Sequence, residues 1–278
     1  MASIHGLLLN DAAACAASVL EYVNSGEWLS PRYRPQTWQE VKNSRVSTLE
    51  IPGCGTCVLK ELLVNHKYGW YKQAKAWWRI TFEQKFRRTF KVSLAMRRAG
   101  ISVSEPFATW ICTEKGVHEY FLCKFVEGDS FESLCREMRY PPESRGRVLA
   151  LFSRLGEMAA RMHENGIIDS DMIPRNCIIT SSGAGDETLT LIDLDSSYFV
   201  MKLGRRFVFD EEMRSFKKFV SYYPLNDECL TAFLLAYSRG DSAKAGKCRE
   251  VLEYFRKHHR HCSPAAWLAM LLFSPPAL

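Results

Sequence analysis

No run in this chain is long enough to cross a bilayer. A spanning helix needs roughly 18 to 20 apolar residues, and the longest late stretch, Ala265 to Phe273, is closed in by Ser263-Pro264 and Ser274-Pro275-Pro276. The N-terminus, Met-Ala-Ser-Ile-His, lacks a basic n-region, and Asn10-Asp11 interrupts the apolar run behind it, which argues against a cleaved leader. Internal repeats and low-complexity tracts are missing as well. With 47% hydrophobic and 24% charged residues, a disordered, collagen-like or coiled-coil chain is excluded. Regular Cys/His spacing is absent too: Cys54-Gly-Thr-Cys57 has no second CxxC to complete a zinc site. Most of the ten cysteines sit inside apolar runs such as Phe121-Leu-Cys123, a use as small hydrophobes that points to a reducing, cytoplasmic setting. Cys54 and Cys57 are therefore read as flanking a tight turn, with no metal bound by cysteine.

Acid is scarce in one place. Between Lys67 and Arg98 ten Lys and Arg stand against a single acid, Glu83, so this stretch carries +9 in a chain of net charge +6, and the remainder is −3. Eight aromatics share it, from Tyr68 to Phe90. Tyr71 to Arg98 contains no Pro or Gly, and Trp78, Phe82, Phe86, Phe90 and Leu94 recur every four residues, which predicts one long helix over 71–98. Its Lys, Arg, Trp and Tyr suit an anionic membrane surface. Buried aromatics beneath a solvated basic face account for the same pattern equally well. A continuous helix is unlike a stacking platform for bases, and no nucleic-acid partner is expected.

Alternation and punctuation organise the rest. Residues 12–23 read as a short helix in an N-terminal helical extension, 1–30. Arg45 to Ile51 and Thr56 to Val64 read as a hairpin around Pro52-Gly53, with Lys60 in its second strand. Phe107 to Thr113 and Glu119 to Phe125 make two more strands, completing a unit over 31–126. Beyond it, 127–278 is mostly helical: 130–139, 143–165, 211–222, 227–238, 242–258 and 265–273, with one small hairpin, Cys177 to Thr180 and Leu189 to Ile192.

Three chemical features then fall in chain order: Lys60 in a strand; Asp171-Met-Ile-Pro-Arg-Asn176 after a helix ending Met162-His163-Glu-Asn-Gly166; and, past the small hairpin, Leu191-Ile-Asp193-Leu-Asp195. Strand Lys, D-x-x-x-x-N, hairpin and I-D are the order of parts in a protein-kinase-like phosphotransferase. Together with Arg97 to Pro106 and the Phe125-Val-Glu127-Gly128 hinge, over roughly 40–240, the chain resembles the lipopolysaccharide kinase family, which phosphorylates inner-core heptose or Kdo sugars.

The resemblance implies an α+β fold of two lobes, a small antiparallel sheet with one long helix and a mostly helical second lobe. It implies ATP and Mg²⁺, with Lys60 on the α/β-phosphates and Glu127 in the hinge beside the nucleotide. Asp193, Asn176 and Asp195 would hold metal and Asp171 would accept the proton of the sugar hydroxyl. The acceptor would be a lipid-linked core oligosaccharide, met by a cytoplasmic protein peripheral to the inner membrane.

Three positions depart from the pattern. Asp169 stands where kinase-like enzymes have a loop-supporting His, which leaves either a weaker loop or a second carboxylate near the reaction centre. No Gly-x-Gly-x-x-Gly precedes Lys60, so phosphate cover falls to backbone amides and Arg45. Thr89 occupies the place of the helix Glu that pairs with the strand Lys, with Glu83 almost two turns earlier. A small-molecule or protein kinase, and a nucleotide-binding protein without turnover, stay open beside the sugar-kinase reading.

Overall fold

The computed structural model describes residues 4–29, 36–41, 44–63, 70–78, 80, 84–114, 117–137, 145–181, 187–200, 212–213, 215–216 and 227–257. Along the chain these form β1 (Ile4–Leu9), α1 (Ala16–Ser25), β2 (Gln36–Val41), β3 (Ser44–Ile51), β4 (Gly55–Leu63), α2 (Trp70–Trp78), α3 (Lys85–Arg98), β5 (Pro106–Cys112) and β6 (His118–Lys124). There follow β7 (Asp129–Ser130), α4 (Phe131–Glu137), α5 (Arg145–Glu164), β8 (Ile167–Asp169), β9 (Cys177–Ser181), β10 (Glu187–Leu191), β11 (Ser197–Phe199), α6 (Asp227–Tyr237) and α7 (Ser242–Lys257).

Six strands pair antiparallel in the order β1-β5-β6-β4-β3-β2. Because successive side chains of a strand point to opposite faces, β4 is shared between two cores. Cys57 and Leu59 pack with Val19, Val23 and Trp28 on one side. Leu62 packs with Ile80, Phe86, Phe90 and Phe121 on the other. Fully burying one such side chain is worth about 1.5 to 3 kcal/mol, so each face is held by several.

Two expectations change here. The segment 1–30, read as a helical extension, contributes the strand β1, which pairs with β5 in register Leu9↔Ala108. Its helix starts at Ala16 and ends at Gly26 in the left-handed conformation. The long helix over 71–98 is two helices, α2 ending at Trp78 and α3 beginning at Lys85. The backbone turns left-handed at Gln84, immediately before α3. Ile80 is fully buried against the sheet, and the Glu119 carboxylate on β6 accepts the backbone N–H of Phe86 (2.8 Å) and of Arg87 (3.1 Å). A new helix start leaves orphan N–H groups, and Glu119 caps two of them from a strand.

The helical half is built on α5, whose predicted apolar face (Val148, Leu151, Phe152, Leu155, Met158, Met162) is buried as the spacing requires. At Gly156 a Cβ would collide with the carbonyl of Phe233, so a glycine lets α5 and α6 approach backbone to backbone. A second glycine, Gly128 (φ 150), sits where β7 crosses β9, and any side chain there would meet Ile178 and Ile179. α3 spans the join, with Phe86 and Phe90 in the sheet-side cluster and Val92 and Met96 in the helical core. The expected helix 265–273 and most of 211–222 lie outside the described residues.

Candidate active site

Lys60 reaches the join because of strand parity. Val58 and Lys60 of β4 face a cleft of about 600 Å³ lined also by Val46, Phe121, Val126, Ile178, Leu191, Asp193 and Asp195, among others. The Lys60 ammonium lies 2.6 Å from Asp193 Oδ1 and 3.3 Å from Asp195 Oδ1. Burial works against its charge, but Asp195 and Asp193 outweigh burial and hold its pKa above the ordinary lysine value. Burial likewise favours a neutral Asp195; Lys60 and Lys85 overcome it and hold that carboxyl at about 2.

The same parity removes Arg45 from the cleft. It pairs in register with Glu61 and donates to its carboxylate at 3.1 Å, on the face opposite Lys60, where Tyr120 and His118 also meet Glu61. Arg45 is therefore not placed to cover phosphates, as the sequence suggested. Glu127 is exposed, while its neighbours Val126 and Gly128 line the cleft. Residues 42–43, the turn in place of a glycine-rich loop, and Glu83 lie outside the described residues.

On the opposite wall the chain past β10 leaves extended geometry. Asp193 has φ 56, and its carboxylate and that of Asp195 converge on Lys60 across this left-handed bend. Asp193 keeps a half-exposed side chain at the cleft. Asn176 closes the preceding loop: its side-chain amide donates to the Asp171 carbonyl (2.8 Å), and its own carbonyl accepts the Ile192 N–H (2.8 Å). Asp171 forms a loose ion pair with Arg175 at 3.9 Å. It is not among the residues lining the cleft.

Asp169 ties these loops together. One oxygen, Oδ1, accepts both the Asp171 N–H (2.9 Å) and the Ser196 hydroxyl (2.7 Å), joining the loop of Asp171 to that of Asp193 and Asp195. Burial raises its pKa to about 6, against the pull of those two hydrogen bonds. The expected weaker loop is not what these bonds describe: Asp169 braces it.

Sequence reasoning missed Lys85 and Arg88. Lys85 Nζ lies 2.7 Å from Asp195 Oδ2, and Arg88 donates to the Asp195 carbonyl at 3.3 Å. Thr89, at the place expected of an acid, is buried and donates to the Lys85 carbonyl. The helix thus offers cations to the aspartates where a Glu facing Lys60 was expected. The signal was present in the basic run, but without the break before α3 the helical phase of Lys85 was not readable.

His163 is a core residue. Its Nδ1 is 3.0 Å from the Tyr237 hydroxyl, and burial lowers its pKa to about 3, so it stays neutral. The thiol of Cys54 donates to the Cys15 carbonyl, and burial raises its pKa to about 12; burial also pushes the Cys57 thiol up. Among the described residues no group of three or more His, Cys, Asp or Glu is arranged to hold a metal, and no helix is long and apolar enough to cross a membrane.

An antiparallel sheet over a helical half, with a strand lysine meeting two aspartates between them, defines a kinase-like fold. The structure of WaaP in complex with acyl carrier protein is similar at a TM-score of 0.61 over 92% of this chain and 100% of that one, and at 14% identity the likeness is one of fold. The sequence matches the lipopolysaccharide kinase (Kdo/WaaP) family over residues 24–237, and the chain belongs to that family. It is also 32% identical over 98 residues to the serine/threonine-protein kinase pkn2 of Myxococcus xanthus, a match spanning 33% of this chain and only 11% of that protein.

Proposed function

We propose that this protein transfers the γ-phosphoryl group of ATP to a sugar hydroxyl of a lipid-linked lipopolysaccharide inner core. The observation that carries the reading is the Lys60–Asp193 ion pair at 2.6 Å, at a cleft that also presents several apolar side chains. Val46, Val58, Phe121, Val126, Ile178 and Leu191 suit the faces of an adenine ring. Lys60, whose charge Asp195 and Asp193 favour, would turn from Asp193 to the α/β-phosphates.

The donor set fits Mg²⁺. Asp193 and Asn176 offer hard oxygens, and because the Asn176 nitrogen is committed to Asp171, its amide oxygen is the atom that would meet a cation. Mg²⁺, when bound, screens the charge on the phosphates. Asp195 is engaged by both lysines, so in this reading it positions Lys60 and Lys85 and is a weaker candidate for metal than its neighbour. Asp171 would take the proton of the attacking hydroxyl, held in place by Asp169 and Asn176.

The test is transfer of labelled phosphate from ATP and Mg²⁺ to deacylated inner-core oligosaccharide carrying heptose or Kdo. Asp171→Ala and Asp193→Ala should each lower turnover about 100-fold or more. Transfer to casein alone, with none to the sugar, would overturn the acceptor; ATP-dependent thermal stabilisation without turnover on any acceptor would leave a nucleotide-binding protein.

A further inference from the structure

Exposed aromatic surface is concentrated on one short helix. Trp70 is 79% exposed, Tyr71 66%, Trp78 53% and Trp77 47%, all on α2. Elsewhere among the described residues, large exposed apolar side chains are scattered singly: Leu20, Phe199, Leu235 and Tyr254. At the helical repeat, Trp70, Tyr71, Trp77 and Trp78, with exposed Ala74 between them, occupy one arc of about 120°. The aromatics of α3 behave in the opposite way, with Phe86 and Phe90 buried.

Charge divides in the same manner. Lys85 and Arg88 are engaged with Asp195. From Leu62 to Phe82 the sequence holds Lys67, Lys72, Lys75 and Arg79 and no Asp or Glu. We propose that α2 is an interfacial anchor that lies in the headgroup layer of an anionic bilayer, with its Trp and Tyr rings at headgroup depth and its cations on lipid phosphates. An exposed aromatic helix face needs no complementary groove when its partner is a bilayer. Trp and Tyr are the side chains that settle at headgroup level; the arc carries no Leu, Ile or Met of the kind that fill a protein pocket. Since α3, which bears Lys85, begins seven residues after Trp78, the anchor would hold the cleft near lipid-linked acceptors. That benefit rests on the sugar-kinase reading, whereas the anchor is measurable without nucleotide or acceptor.

The experiment is flotation of the full-length protein with vesicles of phosphatidylcholine alone or mixed with phosphatidylglycerol. Partition onto the anionic vesicles that weakens with salt is expected. Trp70→Ser with Trp77→Ser should lower affinity about tenfold or more, and Lys72→Gln and Lys75→Gln about fivefold each. Thermal unfolding and transfer to a soluble deacylated acceptor should match wild type in these variants. No partition onto anionic vesicles, unchanged affinity in the Trp70→Ser, Trp77→Ser protein, or capture of a soluble acidic protein without vesicle binding would each overturn the anchor.

Discussion

The Lys60 ammonium sits 2.6 Å from the Asp193 carboxylate, two residues 133 positions apart in the chain, and shares Asp195 with Lys85 on the far side. Asp193, Lys60, Asp195 and Lys85 thus form a chain of alternating charge along the cleft. On the proposed reading, ATP binding would exchange the Lys60–Asp193 pair for phosphate contacts.

Removing the lysine separates function from fold. Lys60→Met is expected to cut phosphate transfer about 100-fold or more. Its unfolding free energy should drop by only about 1 to 2 kcal/mol, because Asp193 is 48% exposed at its side chain and can be rehydrated. Steady-state kinetics and urea titration on one preparation decide this; unchanged turnover would remove Lys60 from the reaction.

Lys85 is a positioning residue in this arrangement. Lys85→Ala leaves Asp195 with Lys60 as its one ammonium partner and should draw Lys60 away from Asp193, raising KM for ATP about tenfold. Lys85→Arg should restore most of the loss. Equal kinetics in Lys85→Ala and wild type would make the contact structural only.

Asp169 provides a third test. Asp169→Ala breaks both the bond to the Asp171 amide and that to Ser196, and should lower kcat about ten- to hundredfold with KM for ATP little changed. Asp169→Asn, which keeps an accepting oxygen, should recover most of it. A rise in KM with kcat intact would contradict the loop-bracing role.

Glu119 predicts a pH dependence of stability. Burial raises its folded pKa from 4.5 to about 7, although the N–H groups of Arg87 and Phe86 pull it down. The folded state therefore holds this proton more tightly than the unfolded chain. Its stabilising contribution is full below the unfolded value and is lost as pH rises through about 7, on the order of 3 kcal/mol. Glu119→Gln keeps the oxygen that caps α3 and removes the titration, so its urea midpoint should exceed wild type above neutrality and converge with it in acid. Parallel pH profiles for the two proteins would refute the assignment.

Strand alternation alone located β3, β4, β5 and β6, the lysine within them, and the apolar face of α5, because a two- or 3.6-residue period is a local property. The order strand Lys, D-x-x-x-x-N and I-D was equally legible, because it too is a pattern along the chain. What the sequence could not determine was anything set by partners distant along the chain. The interruption at Gln84, where the backbone turns left-handed, involves no Pro or Gly; Glu119, distant in sequence, caps the helix start behind it. That break turns Lys85 to Asp195 and leaves the α2 aromatics exposed. Arg45 was lost to the site for a similar reason: strand parity puts it behind the sheet, beside Glu61. Local periodicity fixes which residues share a face, whereas only tertiary packing decides which buried charge meets which, since that depends on hydrogen bonds and burial between distant segments.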